Sequence, residues 1–426
     1  MFWNELVTGI YPWDIHDEGL DTILDNLQQV VGCNSAYLIG LMHHEKRPCN
    51  HNYYPHNPAR KRYLAEDSRA YWKIHDGEYR SSRIKPLPSD REFLKGKDWL
   101  EVFAKGVRAR GMRVGVEISH TPLDAVRGEH ELADCIQHDI YGRPPEHGVY
   151  TNQQLCWNSP DAREYVCSLA RDLVRNYDVD FLQTCSFLFN PGRRDLHPFW
   201  GVVLGGCFCD NCKRQALSEG LDWDGIVRKA RYFADQLTHR SLEANEDNRL
   251  LQKSDSTSVM YLLENPEIYQ WLAFRTRSVT RYFKELSEAM HGVRKDIEFR
   301  FNTCWPDAEN YGQDLSTIRD HVQSIRMMDY IEQRGDINLL PTKEKWLANV
   351  RRQVGEEMTI IGGIAPRGKA TPEIIRKAIF LLADNGVDGL SFGFYDCAPM
   401  ENLKAIRQGM EEAGVTMRGP AKAASR

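Results

Sequence analysis

No stretch of this 426-residue sequence approaches the roughly 18 consecutive apolar residues of a membrane-spanning helix. Lysine and arginine form no block or stripe and the net charge is −5, which argues against a nucleic-acid binder. The opening residues, MFWNELVTGIYPW, lack the basic start, apolar run and small-residue cleavage site of a secretory signal, so a soluble, cytoplasmic protein is expected. No glycine-rich phosphate loop follows the first predicted strand. That weighs against a dinucleotide-binding fold, and no organic cofactor is expected. Internal repeats and low-complexity segments are absent. The 11 cysteines are odd in number and scattered, which argues for reduced thiols over a disulfide scaffold. Cys33, Cys49, Cys135, Cys167, Cys304 and Cys397 read as small buried hydrophobes.

What is present suits a large core: 42% of residues are hydrophobic and 27% charged. Short β-rich runs alternate with amphipathic helical patterns. Strands are predicted at 9–13 (GIYPW), 35–41, 113–119, 179–185, 297–303, 325–333 (IRMMDYIEQ), 358–365 and 387–395. Helices are predicted at 18–32, 99–111, 160–177, 314–322, 342–355, 372–385 and 401–413. Ser159-Pro160 and Thr371-Pro372 mark helix starts, and Gly386 marks a stop. Strands alternating with helices imply a parallel sheet, and eight such units favour a closed (β/α)₈ barrel. The expected organisation is one barrel over 1–418, with long loops after the second and third strands (42–97 and 122–158). A helical insertion at 210–296 separates the fourth strand from the fifth, and the tail 419–426 is expected to be disordered. YLLENPEIYQWLAFRTRSVTRYFKELSEAMHGVRK reads as one long helix of the insertion. Loops that follow strands build barrel active sites, so their size suggests a deep or covered cleft; contacts in a homo-oligomer are the alternative use.

Cys207, Cys209 and Cys212 form C-x-C-x-x-C. Three thiols within six residues in a reduced protein point to Zn²⁺, which takes four thiolates in a closed tetrahedral site. Cys156 and Cys185 are the local candidates for the fourth ligand. "CWNSPDAREY", followed by a helix, a strand ending in Gln-Thr and then "CFCDNC", resembles the zinc-carrying β-galactosidases of glycoside hydrolase family 42 over residues 150–220. The resemblance implies that Cys156 joins Cys207, Cys209 and Cys212. A site of four thiolates leaves no open coordination position, so such a zinc holds loops and does not activate water. In that family the fourth strand ends Gln-Thr-Asp-Asn-Glu and its Glu is the acid/base. Here it ends Gln183-Thr184-Cys185-Ser186-Phe187. The family nucleophile ends the seventh strand, which here runs into Gly362-Gly363-Ile364-Ala365-Pro366-Arg367. Both carboxylates are absent, so that galactosidase arrangement does not carry over.

Catalytic groups in barrels sit at the C-terminal ends of strands. Glu117 and Glu332 each lie inside a predicted apolar strand, where a carboxylate is costly unless paired or functional. With Asp396 they are the candidates for the two carboxyl groups of glycoside hydrolysis, one protonated and one ionised. A separation of about 5 Å would give retention and about 6.5–9.5 Å inversion. The structural alternatives are a salt bridge from Glu117 to Arg113 or Arg367, and loop capping by Asp396. Substrate contacts are expected from Trp13, His16, His43, His44, His120, Asn302, Trp305, Arg367 and Tyr395; aromatic rings there stack on sugar faces. Trp157 and Trp200 are further aromatic candidates, and Arg193, Arg194 and Arg367 are cations for an acidic sugar.

The leading expectation is a carbohydrate-active enzyme, a glycoside hydrolase with a structural zinc. The rivals are a saccharide lyase, a sugar isomerase with a second metal on His16, His43, His44 and His120, and a barrel that binds sugar without turnover.

Overall fold

A computed structural model describes the chain apart from residues 42–47, 50–55, 57–62, 65–67, 119–122, 125–126, 129, 145–153, 186–188, 190–204, 244–261, 304–310, 394 and 419–426. Eight parallel strands close on themselves. They are β1 (Glu5–Ile10), β2 (Ser35–Leu41), β3 (Arg113–Ile118), β4 (Phe181–Thr184), β5 (Glu298–Thr303), β6 (Ser324–Met327), β7 (Thr359–Ile364) and β8 (Gly389–Phe392). Each pairs with the next, and β8 pairs with β1, so the barrel has no open edge. The expected (β/α)₈ fold is thus present.

Helices cover the outside: Trp99–Ala109, Pro160–Asn176, Leu340–Val354, Pro372–Asp384 and Met400–Glu412 each bury one apolar face. The Ser159 hydroxyl accepts from the Ala162 N–H at 3.4 Å, and Thr371 accepts from Ile374 at 3.3 Å, as the helix-start signals predict. Asp210–Ser218, Trp223–Glu243 and Pro266–His291 lie between β4 and β5.

Three expected elements are corrected. The first strand is Glu5–Ile10 and not 9–13, because Pro12 lacks an N–H and occupies the first turn of a helix, Pro12–Glu18. The helix expected at 18–32 is divided between Pro12–Glu18, Leu20–Asp25 and a wider turn, Asn26–Val31. The sixth strand stops at Met327. Tyr330 adopts a left-handed conformation (φ 57°) that no strand accommodates, and Glu332 sits in the following 3₁₀ turn, Ile331–Arg334.

Alternate residues of each strand face the barrel axis and stack in layers. The floor is ionic. Arg300 meets Glu5 at 2.6 Å and Glu298 at 2.7 Å, and Arg113 meets Glu298 at 2.6 Å and Glu5 at 3.3 Å. Two guanidinium groups and two carboxylates alternate, with Glu5 and Arg300 buried and Arg113 and Glu298 partly exposed at the barrel bottom. Above it, Val7, Tyr37, Ile39, Phe181 and Ile361 form an apolar layer. Gly9 makes the layer possible: a Cβ there would lie 2.6 Å from the Tyr37 ring, which crosses the barrel from β2. The next layer up is polar and forms the base of the C-terminal mouth.

Candidate active site and thiol cluster

Glu117 of β3, Gln183 of β4, Asn302 of β5, Arg326 of β6 and Ser391 of β8 make that layer. Adjacent-strand register sets Glu117 beside Gln183 and Asn302 beside Arg326. All are buried. The Gln183 amide donates to Glu117 Oε2. Arg326 donates through Nε to Ser391 Oγ at 2.6 Å and through Nη1 to Asn302 Oδ1 at 2.9 Å. Asn302 Nδ2 lies 3.8 Å from Cys185 Sγ. The Tyr37 hydroxyl faces this layer from below. Burial pushes its pKa up to about 12, with Arg326 opposing and Glu117 adding to the shift. Glu117 is buried near the C-terminal end of β3, and its described partner is Gln183. Among the contacts of the described residues, neither suggested salt bridge, to Arg113 or to Arg367, is present. Arg113 is engaged in the floor, and Arg367 donates to Gln333 Oε1 at 2.9 Å.

Glu332 is fully buried one turn beyond β6. Its Oε2 accepts from the Ala365 N–H at 3.0 Å, and its Oε1 lies 3.0 Å from Lys343 Nζ. Lys343 also meets Asp329 at 2.7 Å and the Gly363 carbonyl at 2.6 Å. Two carboxyl groups therefore share one ammonium. Burial pushes the Glu332 carboxyl above its ordinary value, Lys343 opposes, and Asp329 adds to the rise. Burial pulls the Lys343 ammonium down, but the two carboxylates outweigh it and hold it above its ordinary value. This arrangement ties β6, β7 and the helix Leu340–Val354 together.

Asp396 is fully buried in the 3₁₀ turn Tyr395–Cys397 after β8. Tyr395 is buried too, donating to Glu18 at 2.7 Å and accepting from Asn26 at 2.9 Å; His56 lies 3.4 Å from the same Glu18. Tyr395 thus fastens the β8 loop to the helices after β1. Trp13 stacks on Tyr11 at 4.4 Å and meets Tyr71 at 6.2 Å, so it belongs to the core and not to an open sugar platform. Trp157 is likewise buried, against Tyr282 at 4.7 Å. His16 is exposed beside Phe93, on the helix that replaces the expected strand end. His43, His44, His120, Trp200, Arg193, Arg194 and Trp305 lie outside the described residues.

The sequence reading missed Gln183, Arg326 and Lys343. For Arg326 the signal was present: a guanidinium inside the apolar run IRMM carries the same burial cost that singled out Glu117. Lys343 carried none, since it sits on a helix among other charges.

The thiol cluster lies beside β4. Cys156, Cys207, Cys209 and Cys212 are buried, and their sulfurs all lie within 4.8 Å of one another. Cys156 Sγ is 3.4 Å from Cys209 and 3.5 Å from Cys212. Backbone N–H groups of Asn158 and His138 point at Cys156 and Cys207, both at 3.4 Å, and Asn158 Nδ2 donates to Cys212 at 3.3 Å. These donors stabilise negative sulfur. Burial pushes the Cys207 and Cys212 thiols up, while hydrogen bonds from Cys156, Cys207 and Cys212 hold Cys209 well below the ordinary thiol value. Four sulfurs at this spacing fit a tetrahedral zinc. Cys185 lies apart, at the end of β4 in the barrel mouth.

No protein-family model and no curated protein sequence matches the chain. Solved structures do. The glycoside hydrolase domain of PgaB (BpsB) from Bordetella bronchiseptica is 15% identical, with 91% of this chain and 93% of that one covered and a TM-score of 0.59. A catalytic mutant of Gan42B, a GH42 beta-galactosidase from G. stearothermophilus, is 12% identical, covering 97% of this chain and 57% of that one at a TM-score of 0.57. Alpha-L-fucosidase isoenzyme 2 from Paenibacillus thiaminolyticus is 14% identical, covering 97% and 49% at 0.54. This chain spans about half the length of the galactosidase and fucosidase, and what it shares with all three is the (β/α)₈ barrel fold.

Proposed function

We propose that the protein is a carbohydrate-active enzyme that cleaves a glycosidic bond with two carboxyl groups. The observation that carries this is Glu117: a buried carboxyl group at the C-terminal end of β3, in the polar base of the mouth, oriented by Gln183. Glu117 serves as the ionised group, attacking the anomeric carbon or taking a proton from the water that does. Glu332 and Asp396 are the candidates for the proton donor to the leaving oxygen, and Glu332 would have to give up its contact with Lys343 to take that role. In either stereochemical course the leaving oxygen gains the acid's proton and the anomeric carbon ends with the hydroxyl of water. Asn302 and Arg367 serve as polar contacts to the sugar. A zinc on Cys156, Cys207, Cys209 and Cys212 would hold the loops beside β4, and its four thiolates leave the chemistry to the carboxyl groups. The free buried thiols Cys33, Cys135, Cys167 and Cys397 support a reducing, cytoplasmic location.

The test is a panel of neutral and acidic oligosaccharides assayed for reducing-end release, with E117Q, E332Q and D396N as controls. Absorbance from an unsaturated sugar would replace hydrolysis by elimination. Chelator-sensitive interconversion of a sugar, with the thiolate zinc retained, would indicate an isomerase. One second reading has its own support. The ending Gln183-Thr184-Cys185 has no carboxylate and Glu332 is tied to Lys343, as in a barrel that binds sugar without turnover. Calorimetric binding with no product from any member of the panel would establish that reading.

A further inference from the structure

Away from the barrel mouth, the segment between β2 and the helix Trp99–Ala109 sets a histidine on a buried carboxylate. Asp172 of the helix Pro160–Asn176 is fully buried, and five hydrogen bonds converge on it. His75 Nδ1 lies 2.8 Å from Oδ1, where Asn176 Nδ2 also donates at 3.0 Å. Oδ2 accepts from Trp72 Nε1 at 2.9 Å, the Tyr79 hydroxyl at 3.0 Å and the His75 N–H at 3.4 Å. An ionised carboxylate only accepts, so the contact places the ring proton on Nδ1 and leaves the lone pair on Nε2. Among the described residues, His75 is the one ionic partner of Asp172.

The His75 side chain is 33% exposed and lines a cleft of about 740 Å³. With Nδ1 held against the buried Asp172, the Nε2 edge faces that cleft. The carboxylates of the cleft are committed. Asp98 accepts from the Tyr177 hydroxyl at 2.6 Å and the Glu101 N–H at 3.0 Å, Glu101 meets Lys105 at 2.6 Å, and Asp178 meets Arg108 at 2.9 Å. Lys73 also lines the cleft; it is exposed and holds no ion pair among the described residues. Its backbone N–H is fixed on the Tyr177 hydroxyl at 3.0 Å. Lys73 and His75 thus offer one cleft an unpaired ammonium and an open ring nitrogen. No group of three metal-ligating side chains among the described residues includes His75, whereas a covalent bond needs Nε2 alone.

We propose that His75 is a nucleophilic site that accepts a phosphoryl group from a small acyl phosphate. The Nε2 lone pair attacks phosphorus and an N–P bond forms. The bond from phosphorus to the acyl oxygen breaks, and the carboxylate leaves with that electron pair. No proton moves: Nδ1 keeps its hydrogen, the ring becomes cationic, and Asp172 offsets the new charge. Lys73 offsets the charge on the phosphoryl oxygens. Asp172 is a positioning residue, since it acts through the ring. The site stands apart from the barrel mouth and does not rest on the saccharide reading.

The experiment incubates the full chain with acetyl phosphate and maps the product by peptide mass spectrometry. One phosphoryl group on His75 is expected, released by mild acid and stable in alkali, as an N–P bond requires. His75→Gln should remove it. Asp172→Asn should slow labelling by about tenfold or more. Because Asp172 is buried, the exposed Lys73 provides a second route. Lys73→Gln should keep the wild-type melting temperature and slow phosphorylation roughly fivefold. It should leave unchanged the labelling of His75 by diethyl pyrocarbonate, a neutral reagent, which a merely structural effect would alter. Wild-type protein without phosphoryl on His75 would overturn the proposal, as would equal phosphorylation of the other histidines or an unchanged rate in Lys73→Gln.

Discussion

The Arg300 guanidinium lies 2.6 Å from the Glu5 carboxylate inside the barrel, with both side chains shielded from solvent. Glu298 and Arg113 complete the ring, so removing one member strands a buried opposite charge. Arg300→Met should destabilise the fold by about 3–5 kcal/mol, measured by denaturant unfolding at neutral pH. A loss under about 1 kcal/mol would mean that the ring contributes little.

The same ring predicts acid sensitivity. Burial pushes the Glu298 carboxyl up, but Arg300, Arg113 and the hydrogen bonds from Arg113 and Ser324 outweigh it and hold it at about 2. A depressed folded value contributes stability that is present above the unfolded value, roughly 4.3, and is lost as pH falls toward 2. Unfolding free energy should therefore be flat above about pH 5 and drop by up to roughly 3 kcal/mol below it. Glu298→Gln should flatten that part of the curve.

At the thiol cluster, metal analysis of the purified protein should find one zinc per chain, and Cys212→Ala should remove it. The melting temperature should fall by about 5 °C or more, since the metal stabilises only the folded state. Full zinc content in the Cys212→Ala protein would place the metal elsewhere.

Glu117→Gln keeps the shape and should retain the wild-type melting temperature within about 3 °C. Hydrolysis, once a substrate is found, should fall roughly 10²–10⁴-fold. Equal turnover by the variant would remove Glu117 from the chemistry.

Lys343 and Glu332 should separate in the same assays. Lys343→Met leaves Glu332 and Asp329 facing each other in a dry site and should cost about 3–5 kcal/mol. Glu332→Gln leaves the Lys343–Asp329 pair intact and should be far milder. The Glu332 carboxyl is raised in the fold, so its contribution is complete below its unfolded value and diminishes as pH rises through the folded one. Glu332→Gln should accordingly improve in relative stability as pH increases, which paired unfolding curves at pH 5 and pH 8 would record.

Much of the barrel was legible because the signals are local. A buried parallel strand reads as an apolar run, and Ser159-Pro160 or Thr371-Pro372 caps a helix by chemistry confined to four residues. The misplaced elements are those where local signals compete. Ile331 continues the apolar pattern of the sixth strand, yet Tyr330 turns the chain before it, and Pro12 belongs to a helix despite its strand-like neighbours. Glu117 was legible as a charge within an apolar run. Trp13 and Tyr395 were not legible as core residues, because an aromatic near a strand end looks the same whether it faces a ligand or Tyr71 and Glu18.

The sequence by itself determined the alternation of strands and helices, the reduced thiols and the C-x-C-x-x-C spacing, all set by contacts a few residues apart. Only the tertiary structure decided the pairings. Glu5 meets Arg300 across 295 residues, and Tyr395 meets Glu18 across 377. Lys343 came to hold both Asp329 and Glu332, Arg326 came to lie beside Asn302 and Gly393, and Cys185 was left apart from the other thiols. Barrel closure and register set these partners: they determine which inward-facing residues share a layer, and a buried charge takes its role from the groups that share it.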